Sequence, residues 1–372
     1  MEDIFFELIQ VALGTRECLS RVPNEQEWKE LSALCQKQAI SGTVFHALDG
    51  LSKYGQKPTL IVLYEWIGYA NQIEARNRLT TDVCKQLCDE LDRDGIRACI
   101  LKGQANHAYY PEKMGNMRTC GDIDIWMRPK DRGVKHKVKW ILDYLEKRNT
   151  IESLCYLHAE VKPRHDVPIE VHFRPTFLNE PIHNGRLQRL FGNMEDCTEA
   201  KEIDGVTLPV LKWEYDVIFQ LCHIYRHLLD EGVGLRQVID YYYLLKYDER
   251  NNKKDIIHHV ERLGMKRFAG ALMYVLQEVL AMPEEYLLCP ASEIDGKFLL
   301  SEILLAGNFG HSDPRLSQLH FEKGKTSFQV KRAWRRIKRN SRFLMSYPSE
   351  VIWEPVARYE HFCWRKLKMW RV

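Results

Sequence analysis

One stretch of alternating residues constrains the fold of this chain more than any other. In residues 118–126, RTCGDIDIW, a strand would place Asp122 and Asp124 on one face and two isoleucines on the other. Two carboxylates at neighbouring positions of one face repel each other unless a positive charge lies between them. A divalent cation with oxygen ligands meets that requirement. The pattern therefore predicts a strand and makes metal a candidate for its polar face, although Asp-x-Asp alone is also common on exposed strands.

A second feature lies upstream of this strand. Residues 96–101, IRACIL, are apolar enough for a short buried strand, and Lys102 and Gly103 then read as a tight turn. After Gly103 we expect a helix that Pro111 stops. Lys102 is one of the nearest cations that can balance carboxylate charge beside the aspartates.

A third acid follows on a later pair of strands. Residues 154–161 and 167–173 read as two strands joined by a polar loop, and Glu170 lies between apolar neighbours in the second. We interpret His172 as a core histidine on the face opposite Glu170. His158 is expected on a neighbouring strand of the same sheet, where a role in the site is a minority alternative.

These segments together resemble a known superfamily. A strand, a glycine turn and a helix, then Asp-x-Asp on a strand and one acid on a later strand, are similar to the nucleotidyltransferases that include DNA polymerase beta. Leu-Lys-Gly at 101–103, Arg-x-x-Gly-Asp-Ile-Asp-Ile at 118–125 and Ile-Glu-Val-His at 169–172 most resemble a bacterial family of uncharacterised nucleotidyltransferases. Residues 232–240 and 307–310 resemble the C-terminal part of that family. The Lys-Gly turn and the preceding arginine also resemble abortive-infection nucleotidyltransferase toxins.

The resemblance implies a two-metal transfer reaction. Two Mg²⁺ ions would neutralise the attacking and leaving oxygens as a nucleoside monophosphate moves from a nucleoside triphosphate, such as ATP, to a hydroxyl acceptor. The catalytic and metal-binding residues carried over from the family are Asp122, Asp124 and Glu170, and Glu170 would also help to deprotonate the acceptor.

Nucleotide binding is implied for the residues around the turn. Backbone N–H groups at the turn and the start of the following helix would face the triphosphate. The nucleotide-binding candidates are Lys102, Gly103, Gln104 and Arg118. Arg118 could equally pair with an aspartate. The superfamily usually has Gly or Ser at the position of Gln104, so a non-catalytic nucleotide-binding or scaffold protein of the same fold is an alternative.

The pattern of elements predicts an α+β fold. A small mixed β-sheet with flanking helices would form a nucleotidyltransferase core at 81–200, beginning with a helix over 81–93. It would lie between an N-terminal helical region at 1–80 and a helical C-terminal domain at 201–372. A length of 372 residues is ample for two or three domains.

Charge and cysteine usage bound the partners and the compartment. The formal net charge of +3 gives no whole-chain argument for nucleic-acid binding. No apolar run reaches the roughly 18 residues of a membrane span, and the N-terminus lacks the features of a signal peptide. Eleven cysteines without a disulfide or zinc framework favour a reducing, cytoplasmic location.

One dense basic run leaves an alternative open. Residues 330–339, VKRAWRRIKR, place apolar residues at helical spacing, so we favour a surface helix with a solvated cationic face. Alternatively, residues 330–342 bind nucleic acid, with nearby tryptophans as stacking partners. A toxin-like enzyme that modifies the 3′ end of tRNA would use such a surface. The unidentified hydroxyl acceptor could be a small molecule, a protein or RNA.

Overall fold

A computed structural model describes residues 1–112, 114–247, 253–310, 313, 315 and 326–370, and it shows an α+β protein as predicted. Its strands are β1 (Ile96–Ile100), β2 (Ile123–Pro129), β3 (Ile151–Leu154), β4 (His158–Arg164), β5 (Val167–His172), β6 (Thr198–Ile203) and β7 (Val206–Leu211). Its α-helices are α1 (Glu2–Leu13), α2 (Glu25–Lys37), α3 (Ser41–Phe45), α4 (Leu48–Ser52), α5 (Leu60–Arg93), α6 (Lys137–Lys147), α7 (Pro181–Leu190), α8 (Met194–Cys197), α9 (Trp213–Asp230), α10 (Leu235–Lys246), α11 (Lys253–Arg262), α12 (Lys266–Leu280), α13 (Glu293–Ala306), α14 (Thr326–Phe343) and α15 (Pro348–Trp370).

The chain divides into two compact units. The helical unit comprises Met1–Tyr69 and Leu221–Glu354, and the sheet unit comprises Ala70–Gln220 and Pro355–Val372. Each unit is therefore built from two separate segments of the sequence. The expected boundaries at 80 and 200 do not coincide with these divisions, and the assignment of three regions stays a prediction.

The sheet unit is built on one mixed sheet in the part of the chain described. Its strand order is β3-β4-β5-β2-β1-β7-β6. The β1–β7 and β2–β5 pairs are parallel, and the other neighbouring pairs are antiparallel. The antiparallel pair expected around a polar loop is observed as the β4–β5 hairpin, and its second strand is confirmed. The first strand begins at His158 and not at 154, because Leu154 ends β3.

One face of this sheet carries the apolar core of the unit. The alternation in β2 turns Ile123, Ile125 and Met127 to this face, where they are buried with Val83 and Leu142. The end of α5 and the apolar side of α6 thus cover the same sheet face. Since side chains alternate along a strand, Asp122 and Asp124 are left for the other face.

The helical unit is held together by aliphatic and aromatic packing. Helix α12 is buried along most of its length. The Tyr225 ring stacks on Phe268 with centroids 4.6 Å apart, and Tyr347 packs edge-on against both rings. Within the residues described, no helix is both long and apolar enough to cross a membrane.

Two predictions about helices also differ from the structure. The helix expected after the Lys-Gly turn is a seven-residue 3-10 helix, Gly103–Tyr109. The helix expected over 81–93 is the C-terminal part of α5, which begins at Leu60. The apolar spacing from Leu60 to Leu79 continues that of the following turns, so nothing breaks the helix between them.

Candidate active site

The turn after β1 brings a lysine to the strand of aspartates. Ile100 pairs with Ile125 across β1 and β2, and the Leu101 N–H donates to the carbonyl oxygen of Asp124 (3.0 Å). The chain then turns at Gly103, whose φ of +64° is a conformation that residues with a Cβ rarely adopt. Lys102 is thereby held beside the aspartates.

The three predicted acids lie together on one sheet face. Asp124 and Glu170 occupy paired positions on the parallel strands β2 and β5, and Asp122 immediately precedes β2. One carboxylate oxygen from each of the three lies within 4.8 Å of the others. The Asp124 side chain is 1% exposed, whereas those of Asp122 and Glu170 are 33% and 23% exposed. The group is therefore buried at Asp124 and partly exposed at Asp122 and Glu170.

Lys102 neutralises part of this charge. Its Nζ lies 2.8 Å from Asp124 Oδ2 and 3.6 Å from Asp122 Oδ1. Burial acts to lower the pKa of Lys102, but the two aspartate charges outweigh it, and the net pKa is above that of an ordinary lysine. Lys102 therefore stays protonated at neutral pH beside Asp122 and Asp124.

His172 is buried, as expected of a core histidine, but its placement on the face opposite Glu170 was wrong. Residues two apart on a strand share a face, so Glu170 and His172 point the same way. His172 Nε2 lies 2.9 Å from Asp124 Oδ1 and 3.4 Å from Glu170 Oε2. Burial opposes protonation, but these contacts outweigh it and raise the pKa of His172 to about 9.

His158 joins the site from the adjacent strand. It is paired with His172 in the antiparallel β4–β5 register, and its Nδ1 lies 3.1 Å from Glu170 Oε2. The expected neighbouring strand of the same sheet is thus confirmed, and His158 contacts Glu170, while its role in the site stays a prediction.

The environments of two acids push their pKa values apart. Burial acts to raise the pKa of Asp124, but Lys102 and the hydrogen bond from His172 outweigh it and hold the pKa well below its usual range. Burial, with the charges of Asp124 and Asp122, raises the pKa of Glu170 despite the opposing contact with His172. Opposite shifts of this kind accompany different chemical roles for neighbouring carboxyl groups.

Gln104 supports the loop that leads into the strand of aspartates. Its side chain is buried, and Nε2 donates to Asn77 Oδ1 (2.9 Å). Asn77 Nδ2 in turn donates to the carbonyl oxygens of Asn116 and Arg118, each at 2.8 Å. The Gln104 side chain is therefore part of a buried hydrogen-bond chain from α5 to the loop before β2.

Arg118 is held at the same loop. Its side chain is buried, and Nη1 donates to the carbonyl oxygen of Thr119 (3.3 Å). Of the predicted residues, the structure thus pairs Lys102 with Asp122 and Asp124, and it places Glu170 within 4.8 Å of both acids. Gly103 forms the adjoining turn, and the backbone of Arg118 shares a hydrogen-bond chain with Gln104.

The donor set suits a magnesium ion. Mg²⁺ binds oxygen ligands, and the acids at positions 122, 124 and 170 supply one oxygen each within a span of 4.8 Å. Asp122 and Glu170 are partly exposed, and Mg²⁺ usually keeps several water ligands or binds substrate phosphates beside its carboxylates. Lys102 and His172 now balance much of the negative charge that such an ion would neutralise.

The basic run has partners inside the helical unit. Arg339 Nη1 donates to the carbonyl oxygen of Asp230, and Arg342 Nη1 lies 3.6 Å from Glu302 Oε1. Trp334 is 67% exposed. The side chains of residues 330–333 and 335 lie outside the described part of the chain, so nucleic-acid binding through 330–342 stays a prediction.

Comparisons with known proteins identify the family of this chain. Residues 24–281 match the model of a protein family described as uncharacterised nucleotidyltransferase. No curated protein sequence matches the chain. A solved structure, an antigenic nucleotidyltransferase-like protein from Paracoccidioides brasiliensis, is similar at 15% identity over 54% of this chain and 91% of that one, with a TM-score of 0.33. The family match spans well over half of the sequence and confirms the resemblance: this chain belongs to the uncharacterised nucleotidyltransferase family.

Proposed function

We propose that the protein is a Mg²⁺-dependent enzyme that transfers a nucleoside monophosphate from a nucleoside triphosphate to a hydroxyl acceptor. The observation that supports this most is the grouping of Asp122, Asp124 and Glu170 within 4.8 Å on one sheet face. Family membership supports the reaction class. When bound, two Mg²⁺ ions would neutralise charge on the attacking and leaving oxygens.

The acids have different roles in this proposal. Asp124 is the buried anchor, because its depressed pKa keeps it ionised at any physiological pH. Asp122 is more exposed and holds the side of the site that faces the triphosphate. Glu170 has a raised pKa, which suits a group that accepts a proton from the acceptor hydroxyl.

The reaction balances with these groups. The acceptor oxygen forms a bond to the α-phosphorus as the bond from the α-phosphorus to the bridging oxygen of the β-phosphate breaks. Pyrophosphate leaves with the electron pair of that bond, and the hydroxyl proton goes to Glu170.

The phosphate-binding part of the proposal centres on the turn. Lys102 is the cation nearest to the acids and contacts the triphosphate, while Gly103 and Gln104 contribute backbone N–H groups. The Gln104 side chain is held by Asn77, so a longer residue at this position need not enter the phosphate site. Arg118 lies at the same loop and supplies further positive charge.

The acceptor and the setting are also proposals. We propose ATP among the triphosphates, with a small molecule, a protein or RNA as the carrier of the acceptor hydroxyl. A bacterial, cytoplasmic enzyme is supported by the family resemblance and by eleven cysteines that are all free.

A labelling experiment tests the reaction class. Purified protein is incubated with Mg²⁺ and a cell extract, using ATP labelled in parallel at the α- or the γ-phosphate. We expect label from the α-phosphate, and none from the γ-phosphate, in a macromolecular or small-molecule product, with release of pyrophosphate. Asp124→Asn should abolish transfer, and the exposed Asp82→Asn is the matched control.

The two alternative outcomes are distinct. Transfer of the γ-label would indicate a phosphotransferase and contradict the proposal. Equal transfer by wild type and Asp124→Asn, with all four nucleoside triphosphates, would show that the acidic group does not take part in the reaction.

A further inference from the structure

A second potential metal site overlaps the first at Glu170. One ligand atom from each of His158, Glu170 and His172 lies within 4.8 Å of the others. The three residues come from two strands: His158 pairs with His172 across the β4–β5 hairpin, and Glu170 shares a face with His172. The hairpin register therefore brings two imidazoles and one carboxylate together. Asp122 and Asp124 contribute no ligand atom to this group.

The spacing of the ligand atoms fits a tetrahedral ion. Zinc bound at about 2.0–2.1 Å to nitrogen and oxygen places its tetrahedral ligands about 3.3–3.4 Å apart. His158 Nδ1 lies 3.1 Å, and His172 Nε2 lies 3.4 Å, from the same oxygen, Glu170 Oε2. Both distances are within a few tenths of an ångström of that requirement, and one ligand atom from each residue lies within 4.8 Å of the others.

A polar atom in this cluster lacks its usual partner. His158 Nδ1 is buried, and it makes no hydrogen bond of acceptable geometry within the described residues, although Glu170 is close. A buried polar atom without a hydrogen bond costs stability. Coordination to an ion would give His158 Nδ1 a partner. It would also explain why this nitrogen lies so close to the Glu170 carboxylate.

The donor set selects a class of metal. Imidazole nitrogen is a good ligand for zinc and neighbouring transition metals, whereas Mg²⁺ takes oxygen. Two histidines and one glutamate are also a ligand set that leaves a fourth position open on zinc. We propose that His158, Glu170 and His172 bind one Zn²⁺-type transition-metal ion beside the acids of the nucleotidyltransferase site.

Binding at this site changes the neighbouring contacts. His172 Nε2 faces Asp124 Oδ1 at 2.9 Å, and the same nitrogen cannot donate a proton to Asp124 while its lone pair binds a metal. Occupation by zinc therefore breaks the His172–Asp124 hydrogen bond. The Asp124 carboxylate then gains an acceptor position for a ligand of the adjacent site.

Zinc binding is measured directly on the full chain. The metal-free protein is titrated with Zn²⁺ in excess Mg²⁺, its zinc content after desalting is determined by mass spectrometry, and Co²⁺ is added as a spectroscopic probe. We expect one tightly held zinc per chain, undisturbed by Mg²⁺, and a visible Co²⁺ spectrum of tetrahedral or five-coordinate intensity.

Variants assign the ligands. His158→Ala and the more conservative His158→Gln should each weaken zinc binding by at least about tenfold, since even changes to the hydrogen-bond partners of ligands cost about 10–100-fold. His165→Ala, at an exposed position of the same hairpin, should bind as wild type. Zinc binding that is absent, that Mg²⁺ abolishes, or that both His158 variants retain in full overturns the inference.

The result is separable from the proposed transfer reaction. Asp122→Asn should keep zinc while losing Mg²⁺-dependent nucleotide binding, because Asp122 belongs to the acidic group alone. Zinc binding without any nucleotide binding by wild type would leave this inference standing and contradict the proposed function. Nucleotide binding without zinc binding would leave the proposed function standing and contradict this inference.

Discussion

Asp124 and Glu170 face each other across the parallel strands β2 and β5, and His172 contacts both carboxylates from the next position on the same face. Lys102 approaches Asp124 from the other side. The buried Asp124 carboxylate is thus held between two cations. Replacing these cations, or the residues that position them, should change the stability of the protein or the pKa of His172.

Removal of the lysine charge should destabilise the metal-free protein. In Lys102→Met, Asp124 loses its partner at Oδ2, and breaking a buried ion pair costs as much as about 3–5 kcal/mol. Mg²⁺ should then raise the unfolding temperature of the variant more than that of wild type, because the ion takes over the missing charge. Lys85→Met removes an exposed ion pair with Asp89 and should cost no more than about 1 kcal/mol. Equal unfolding midpoints for both variants in urea would contradict this.

His172 should titrate far from the range of a free histidine. Its pKa of about 9 predicts an imidazolium at pH 7 in metal-free protein, which NMR of the ring resonances can measure. Because the folded pKa lies above the unfolded value of about 6.5, the associated stability is fully present below pH 6.5 and is lost as the pH rises through 9. Asp124→Asn should lower the pKa of His172. A wild-type midpoint near 6.5 would show that the contact with Asp124 is not formed in solution.

Gln104 should matter for stability. Gln104→Leu leaves Asn77 Oδ1 buried without its donor, which costs about 1–3 kcal/mol in the free energy of unfolding. Gln86→Leu, at an exposed position of α5, is the matched control and should change stability by less than about 0.5 kcal/mol. Chemical denaturation measures both. A Gln104→Leu protein of unchanged stability that fails to bind nucleotide would instead assign this side chain to the ligand.

Two glycine substitutions should have opposite signs. Gly103→Ala must adopt a φ of +64°, which costs roughly 1–2 kcal/mol for a residue with a Cβ, and the added carbon would lie 3.6 Å from the Asp122 carbonyl oxygen. Gly68→Ala lies within α5 with open space around it and should stabilise by roughly 0.5–1 kcal/mol. Thermal unfolding compares them, and stabilisation by both changes would contradict the strained turn.

Local patterns were sufficient to predict the acidic group. Alternation places Asp122 and Asp124 on one strand face, and the same period of two puts Glu170 on a face of its own strand. The same period also places His172 on that face, since it lies two residues from Glu170. His158 needed one further step, the register of the hairpin, which a polar loop between two strands fixes only approximately.

Other parts of the site depend on contacts that no local pattern reveals. Asn77 lies 27 residues from Gln104 on α5, and only the packing of that helix brings the two amides together. The order of the strands has the same origin, because β1 pairs with β2 and also with the distant β7. The helix expected after Gly103 is a 3-10 helix, and the side chains of Gln104, Asn106 and His107 in it hydrogen-bond to residues distant in sequence.

The most direct test of the central claim is Mg²⁺-dependent nucleotide binding, measured as the shift in unfolding temperature with each of the four ribonucleoside triphosphates. Wild type and Asp82→Asn should be stabilised by at least one triphosphate only when Mg²⁺ is present, because the ion links its phosphates to the acids. Asp122→Asn and Asp124→Asn should lose that shift while remaining folded. Stabilisation that is independent of Mg²⁺, or that persists in both aspartate variants, would contradict a metal–nucleotide site built on Asp122 and Asp124.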